Sequence, residues 1–207
     1  MTVDLIIARY DEDLAWLDAA PASWRRIVYD KSQGGERQAL TVGAWASRAG
    51  AGEAALYPEA RPLPNVGCEA HTYATHVAWA YHDLADITVC LPGDAPAHRA
   101  DILEVAAGAV EARVRYLGLG RRGSCDRDGG RTHPGLGPWL SLLWGAFRAD
   151  PLPVRWRWHA WGMFVADRAA LQRYPPMAWR EAESLCRTKE AACAFERLWT
   201  PLLQEGA

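Results

Sequence analysis

Residues 3–8, Val-Asp-Leu-Ile-Ile-Ala, constrain the fold more than any other stretch of the chain. The run is short, rich in β-branched residues and almost wholly apolar. It lacks the alternation of a strand with one wet face, so it predicts a strand buried on both faces, the kind found in parallel sheets. Arg9 and Tyr10 end it. Asp11 is then a candidate N-cap. Glu12 and Asp13 fall in the first turn of a helix that carries Leu14, Trp16 and Leu17 and stops before Pro21. Residues 26–29, Arg-Ile-Val-Tyr, predict a second strand. A β-α-β opening of this kind predicts an α/β fold with a mostly parallel central sheet flanked by helices.

The rest of the chain extends that pattern. Residues 31–63 are broken by Gly and Pro and predict an excursion with a short strand at 40–42. The clearest helix is 68–82, where Ala70, Tyr73, Ala74, Val77, Ala78 and Tyr81 form one apolar stripe. A strand at 87–91 follows, then an Ala-rich helix over 99–115. The stretch 118–138 holds seven Gly and two Pro and reads as a surface loop. A helix at 139–147 and a strand at 162–165 come next. Asp167 caps a helix that ends before Pro175 and Pro176, and helices near 178–186 and 190–203 finish the chain.

Length and composition limit the function classes. A chain of 207 residues suits one domain with an ordinary core. Its 23 basic and 25 acidic side chains nearly cancel, so no charge excess points to a nucleic-acid partner. No apolar run has the length of a membrane span. The first residues lack the charged and apolar regions of a signal peptide, so the mature protein is expected to begin at residue 1. The cysteines at 68, 90, 125, 186 and 193 are odd in number and contain no Cys-x-x-Cys pair. That is neither a zinc ribbon nor a disulfide framework, and a reducing cytoplasm is the expected compartment. The 11 Trp point to either a large core or a ring-lined pocket.

Four constellations could carry chemistry. The first is Arg9, Tyr10 and Asp11 after strand one, because ligands of open α/β sheets bind outside the carboxyl ends of the strands. The second begins at Asn65 and runs to His76. Glu69, Tyr73 and His76 lie at i, i+4 and i+7 and share one flank of the helix, whereas His71 projects from another. The third is Asp94 and His98, just past a strand end, able to coordinate a divalent cation or do acid–base work. The fourth is Trp156 to Phe164, where rings alternate with Arg157 and His159. On a strand, Trp156 and Trp158 share a face, with Arg157 and His159 on the other, and stacked rings can bind sugars or bases. Each also has a structural reading: helix capping, a buried hydrogen-bonded His, a turn, or core packing. A nucleophile elbow, a phosphate-binding Gly loop and a His-Glu-x-x-His site are absent.

Several of these segments resemble a family of bacterial and fungal proteins known mainly as a domain of unknown function. Residues 3–17 are similar to its start. Residues 63–73, Leu-Pro-Asn-Val-Gly-Cys-Glu-Ala-His-Thr-Tyr, are similar to its Leu-Pro-Asn-x-Gly-Arg-Glu-x-His-Thr-Tyr block. Residues 86–94 resemble its strand ending in Phe-Leu-Gln-Gly-Asp, and residues 164–168 and 195–199 match its late motifs. Two departures stand out: Cys68 where the family has Arg, and Pro92 where it has Gln. The family's order of elements is similar to GT-A glycosyltransferases, which bind nucleotide-sugars. That resemblance implies a GT-A-like, Rossmann-like architecture, with Arg9 and Asp11 as nucleotide contacts and Asp94 as a metal contact. The Asp-x-Asp pair of such enzymes is missing.

Three functions follow as expectations. In the leading one the protein is a transferase acting on a small polar substrate with a nucleotide-sugar donor. Arg9 and Tyr10 hold the anionic donor, and Asp94, with His98, holds Mg or Mn. Glu69 or His71 acts as general base. Asp11, Asn65, Tyr73, His76, Trp158 and His159 complete the candidate binding residues. The alternative is a small-molecule tailoring enzyme with an Fe, Cu or Zn site built from Glu69, His71, His76, His98 and His133. The third is a non-catalytic module that binds sugar or peptide on a Trp-lined surface.

Overall fold

The computed structural model describes residues 1–32, 60–129 and 135–204. The strand expected at 40–42 and His133 lie outside these residues. β1 (Val3–Arg9) pairs in parallel with β2 (Arg25–Asp30) on one side and with β4 (Ile87–Pro92) on the other. Short β3 (Arg61–Pro62) extends the sheet beyond β2. β8 (Phe164–Asp167) runs antiparallel between β4 and β5 (Tyr116–Gly118). The six strands are ordered β3-β2-β1-β4-β8-β5, and β8 alone opposes the others.

The opening strand is buried on both sides, as its composition demands. Ile6 and Ala8 face one hydrophobic layer, while Val3, Leu5 and Ile7 face the other. The first layer is completed by α1 (Cys68–Ala80), α4 (Gly137–Phe147), α6 (Pro176–Leu185) and α7 (Lys189–Leu203). The expected stripe of α1 is in this layer: Ala70, Tyr73, Ala74, Val77 and Ala78 are buried and Tyr81 packs at its edge. The second layer is covered by α3 (Ile102–Glu111) through Ile102, Ala106 and Val110. Asp4 is the polar exception in β1, and it is held at both oxygens by Arg25 Nε at 2.7 Å and Nη2 at 2.6 Å.

Several local expectations change. Asp11 is exposed and caps nothing; the segment after β1 is a five-residue 3-10 turn, Ala15–Ala19, and Asp13 Oδ1 accepts from Ala15 N at 2.9 Å. The helix expected over 99–115 is shorter, α3 alone (Ile102–Glu111), and a separate turn of helix, α2 (Ala95–His98), precedes it with Arg99 extended between them. The 118–138 stretch is not all loop. Within it β6 (Arg122–Asp126) pairs antiparallel with β7 (Arg155–His159) to form a second, two-stranded sheet. The polar sequence of β6 has no strand periodicity, and the pairing with β7 supplies its order. Asp167 does cap α5 (Arg168–Leu171), accepting from Ala170 N at 2.6 Å.

The five cysteines are free thiols. No helix of the described residues is long and apolar enough to cross a membrane.

Candidate functional site

The sheet places its ligand position by topology. From β1 the chain first builds β2 and β3 on one side, then returns to place β4 on the other. The carboxyl ends of β1 and β4 therefore diverge into connections of opposite direction, which opens a crevice at that edge. A pocket of about 320 Å³ lies there.

Each wall comes from a different element. The end of β1 supplies Ala8 and Arg9, and the following turn Tyr10 and Glu12. Arg9 is fixed before any ligand arrives, since Nη1 bonds Asp30 Oδ2 at 3.0 Å and Nε bonds Glu12 O at 3.0 Å. Glu12 in turn accepts from Tyr10 N at 2.6 Å. The end of β4 supplies Pro92, and the turn beyond it brings Asp94 and His98, whose Oδ2 and Nε2 are 3.2 Å apart. Trp16 Nε1 donates to Gly93 O at 2.8 Å and ties this turn to the one after β1. Trp161 closes the opposite wall, stacked on the His98 imidazole with ring centroids 4.8 Å apart and planes 10° off parallel.

The last wall is the start of α1, with Asn65, Cys68 and Glu69. Gly67 and Cys68 both have positive φ, +60° and +46°. At Gly67 a Cβ would stand 1.7 Å from the carbonyl oxygen of Cys186, at the end of α6. Only glycine lets this turn press so closely on its neighbour. Buried Lys31, just past β2, reaches under the turn and donates to Val66 O at 2.6 Å and to Cys68 O. Replacing Gly67 with alanine is expected to cost at least about 1–2 kcal/mol from the left-handed backbone alone, with the contact to Cys186 adding to it. A thermal midpoint equal to wild type would refute this account of the turn.

Burial sets the protonation pattern. It lowers Lys31 to about 8, an effect opposed by nearby Cys68 and Glu69. It raises the Glu69 carboxyl, with Lys31 pulling the other way. Behind Glu69, Glu196 of α7 is pushed up to about 7 by burial first and by the Glu69 carboxyl second.

Arg9, Tyr10, Asn65, Glu69, Asp94 and His98 thus line one pocket, Arg9, Tyr10, Asp94 and His98 from strand ends and Asn65 and Glu69 from the start of α1. Asp11 is exposed outside it. Tyr73, His76 and His71 do not line it either. Tyr73 is in the core against Phe164 and Trp199. His76 is fully buried with Nδ1 3.1 Å from Tyr29 Oη, and burial lowers it to about 4. His71, also buried, is lowered to about 4, by burial and then by the Lys31 and Arg187 charges. The α1 face shared by Glu69, Tyr73 and His76 looks onto the sheet, and only its first turn reaches past the strand ends.

Trp158 and His159 are likewise elsewhere. Trp156 and Trp158 share the inner face of β7, with Arg157 exposed on the other, as alternation requires. That face is covered by α7. Trp156 Nε1 donates to Arg197 O at 2.7 Å, and the Arg197 guanidinium lies 4.3 Å from the Trp158 ring centre. His159, expected on the Arg157 face, instead reaches α7 at the end of the strand, with Nδ1 3.2 Å from Thr200 Oγ1. Of the clustered rings only Trp161 enters the pocket. Sequence reasoning did not weigh Lys31 and Glu196 as site residues. A lone Lys after a strand end was the available signal for the first; nothing local marked the second.

Among the described residues no group of three or more His, Cys, Asp or Glu side chains is arranged to hold a metal ion. The fold and site define the protein as an α/β domain with a charged pocket at a topological switch point. Comparison of the chain with protein-family models, with curated proteins and with solved structures finds no match.

Proposed function

We propose that the protein is a GT-A-like transferase that binds a nucleotide-sugar in this pocket and passes the sugar to a small polar acceptor. One observation carries the reading: Arg9 from the end of β1 and Asp94 from beyond β4 line the same pocket, with the Glu69 carboxyl across from them. A first strand whose end meets the ligand and a central strand that ends at an acid are what the GT-A resemblance implies.

In this reading Arg9, held rigid by Asp30, meets the anionic part of the donor, and Trp161 and Tyr10 offer ring faces to its planar or sugar part. Glu69 takes the proton of the acceptor hydroxyl. That oxygen bonds to the sugar's anomeric carbon, the bond from that carbon to phosphate breaks, and the nucleotide leaves with the electron pair. Asp94, with His98 beside it, would hold a divalent ion. The donor set fits a hard cation such as Mg or Mn, which takes one or two protein ligands and completes its shell with water and phosphate oxygens. Such an ion supplies neutralisation of the leaving phosphate when bound.

Thermal melting in the presence of MnCl2 and a panel of uridine, guanosine and cytidine diphosphate sugars tests the reading. One donor is expected to stabilise the protein by about 2.7 kcal/mol at a hundredfold excess over its Kd. Asp94→Asn is expected to abolish the metal-dependent part. No stabilisation by any donor, with or without Mn, would count heavily against a transferase.

The tailoring-enzyme alternative has Glu69, Asp94 and His98 lining one pocket, though not grouped to hold a metal ion among the described residues. Among the described residues His71 and His76 do not join them, which leaves His98 as the imidazole there. Elemental analysis separates the two readings: tightly bound iron, copper or zinc favours the alternative, weakly held Mg or Mn the transferase.

A further inference from the structure

Arg9 and Lys31 both line the pocket, but their charges are met differently. Lys31 follows Asp30, so the two side chains leave opposite faces of the sheet. Asp30 turns to Arg9 and pairs with it, Oδ2 to Nη1 3.0 Å. Lys31 turns the other way, under the start of α1, where Nζ donates to Val66 O at 2.6 Å and to Cys68 O. Its main chain stays tied to β1, with N donating to Arg9 O at 2.9 Å. The residue is only 4% exposed. Two neutral carbonyls satisfy two of its three N–H donors but bring no negative charge. Among the described residues no carboxylate is within ion-pair distance of Nζ. A buried charge in this state is costly and is normally paired. Because Lys31 lines the pocket, a ligand can supply the partner.

The pocket limits what that partner is. Glu12, Glu69 and Asp94 line it against Arg9 and Lys31. A lining with this excess of acids repels a multiply charged anion and leaves room for one negative charge beside Lys31. Asn65 is exposed on the same wall and directly precedes Val66, whose carbonyl Lys31 holds. Its side-chain amide can donate to a second oxygen. One ammonium and one amide suit the two oxygens of a carboxylate. Glu69 follows Cys68, whose carbonyl Lys31 also holds, so the acid base candidate and the anion site belong to one turn of chain.

We propose that Lys31 selects the acceptor: it holds a carboxylate, so the small polar molecule that receives the sugar is a hydroxy acid, seated with its carboxylate on Lys31 and Asn65 and its hydroxyl at Glu69. That this molecule is an acceptor rests on the transferase reading; the carboxylate site on Lys31 does not.

The chain has two lysines, Lys31 and the exposed Lys189, so each serves as a control for the other. The test uses the full chain labelled with ¹³C at the lysine Cε atoms, titrated with sodium glycolate at constant ionic strength and followed by NMR. The pH is held at about 6.5, where Lys31, lowered by burial to about 8, is charged. Lys189→Arg assigns the two resonances. The Lys31 resonance is expected to shift to saturation with glycolate while Lys189 stays still. Ethylene glycol, which has the hydroxyl without the carboxylate, is expected to move neither. Lys31→Met is expected to weaken binding about tenfold or more, read from the signal of ¹³C-glycolate, and Asn65→Ala is expected to weaken it less. If Lys31→Met does not fold, the wild-type Lys31 resonance and Asn65→Ala, an exposed position, still decide. A Lys31 resonance that ignores glycolate, or moves only in step with Lys189, overturns the site. Inorganic phosphate that shifts Lys31 at lower concentration than glycolate overturns the carboxylate assignment. Neither nucleotide nor metal enters the experiment. A protein that takes glycolate at Lys31 yet is stabilised by no donor keeps the carboxylate site and loses only the transferase reading.

Discussion

Trp199→Ala will lower the stability of the protein by about 3–5 kcal/mol, the range for removing a fully enclosed indole. Trp199 is 2% exposed and stands at the meeting point of the α-helical layer and the sheet. Its ring centre lies 4.2 Å from that of Phe195, 5.0 Å from Phe164, 6.1 Å from Trp179 and 6.4 Å from Tyr73. Deleting it leaves a cavity between α1, α6, α7 and β8 that rings of fixed geometry cannot fill. Urea unfolding measures the effect as a lower midpoint with an unchanged slope. Trp199→Phe will cost much less, because it keeps most of the ring and discards an indole N–H that is buried without a partner. Equal losses in the two variants would mean that the indole's volume is not what holds this part of the core.

Acid will destabilise the protein through its buried histidines. His71 and His76 each titrate near 6.5 when free and near 4 in the folded chain, chiefly because burial disfavours the charged ring. Between those values the unfolded chain binds protons that the folded one does not, so stability falls as pH falls from about 6.5 to about 4, and then levels. Each histidine accounts for about 3 kcal/mol across that window. Glu196 acts with the opposite sign: its folded value of about 7 is above the ordinary 4.5, so protonation favours the folded chain as pH falls between those two values. The net curve mixes both, and the variant slopes separate them. His76→Gln keeps an acceptor for Tyr29 and removes the imidazole. It is expected to lose about 3 kcal/mol less than wild type between pH 6.5 and 4. If the two pH–stability curves run parallel, His76 is not a neutral, buried group.

How far the site was legible follows from where its residues stand on the chain. Arg9, Asp94 and His98 come just after predicted strands, and in a parallel sheet the strand ends lie together. Their convergence was therefore readable from order alone. Glu69 was readable as a first-turn residue of a helix that begins at the same edge. His71, Tyr73 and His76 have the residue types of a site, but His71 projects from another flank of the first turn, and the later turns carry Tyr73 and His76 away from the strand ends and into the core. Trp158 and His159 meet Arg197 and Thr200 of α7, far along the chain, which no local pattern names.

Lys31 and Glu196 mark the limit. A lysine after β2 acquires meaning only when its Nζ is found under the carbonyls of Val66 and Cys68. A glutamate in the middle of a helix acquires it only when Gly162 and Glu69 are seen beside it.

By itself, the sequence determined the α/β class, the two-sided burial of β1, the long helices and the strand ends where polar groups gather. These depend on periodicity and composition within a few residues, which the chain states directly. Tertiary structure alone decided the antiparallel β8 beside β4, the β6–β7 pair, the neutral burial of His71 and His76, and the meeting of Glu69 with Glu196. Those depend on contacts between segments far apart in the chain, where desolvation and close packing, rather than local preference, set both conformation and charge.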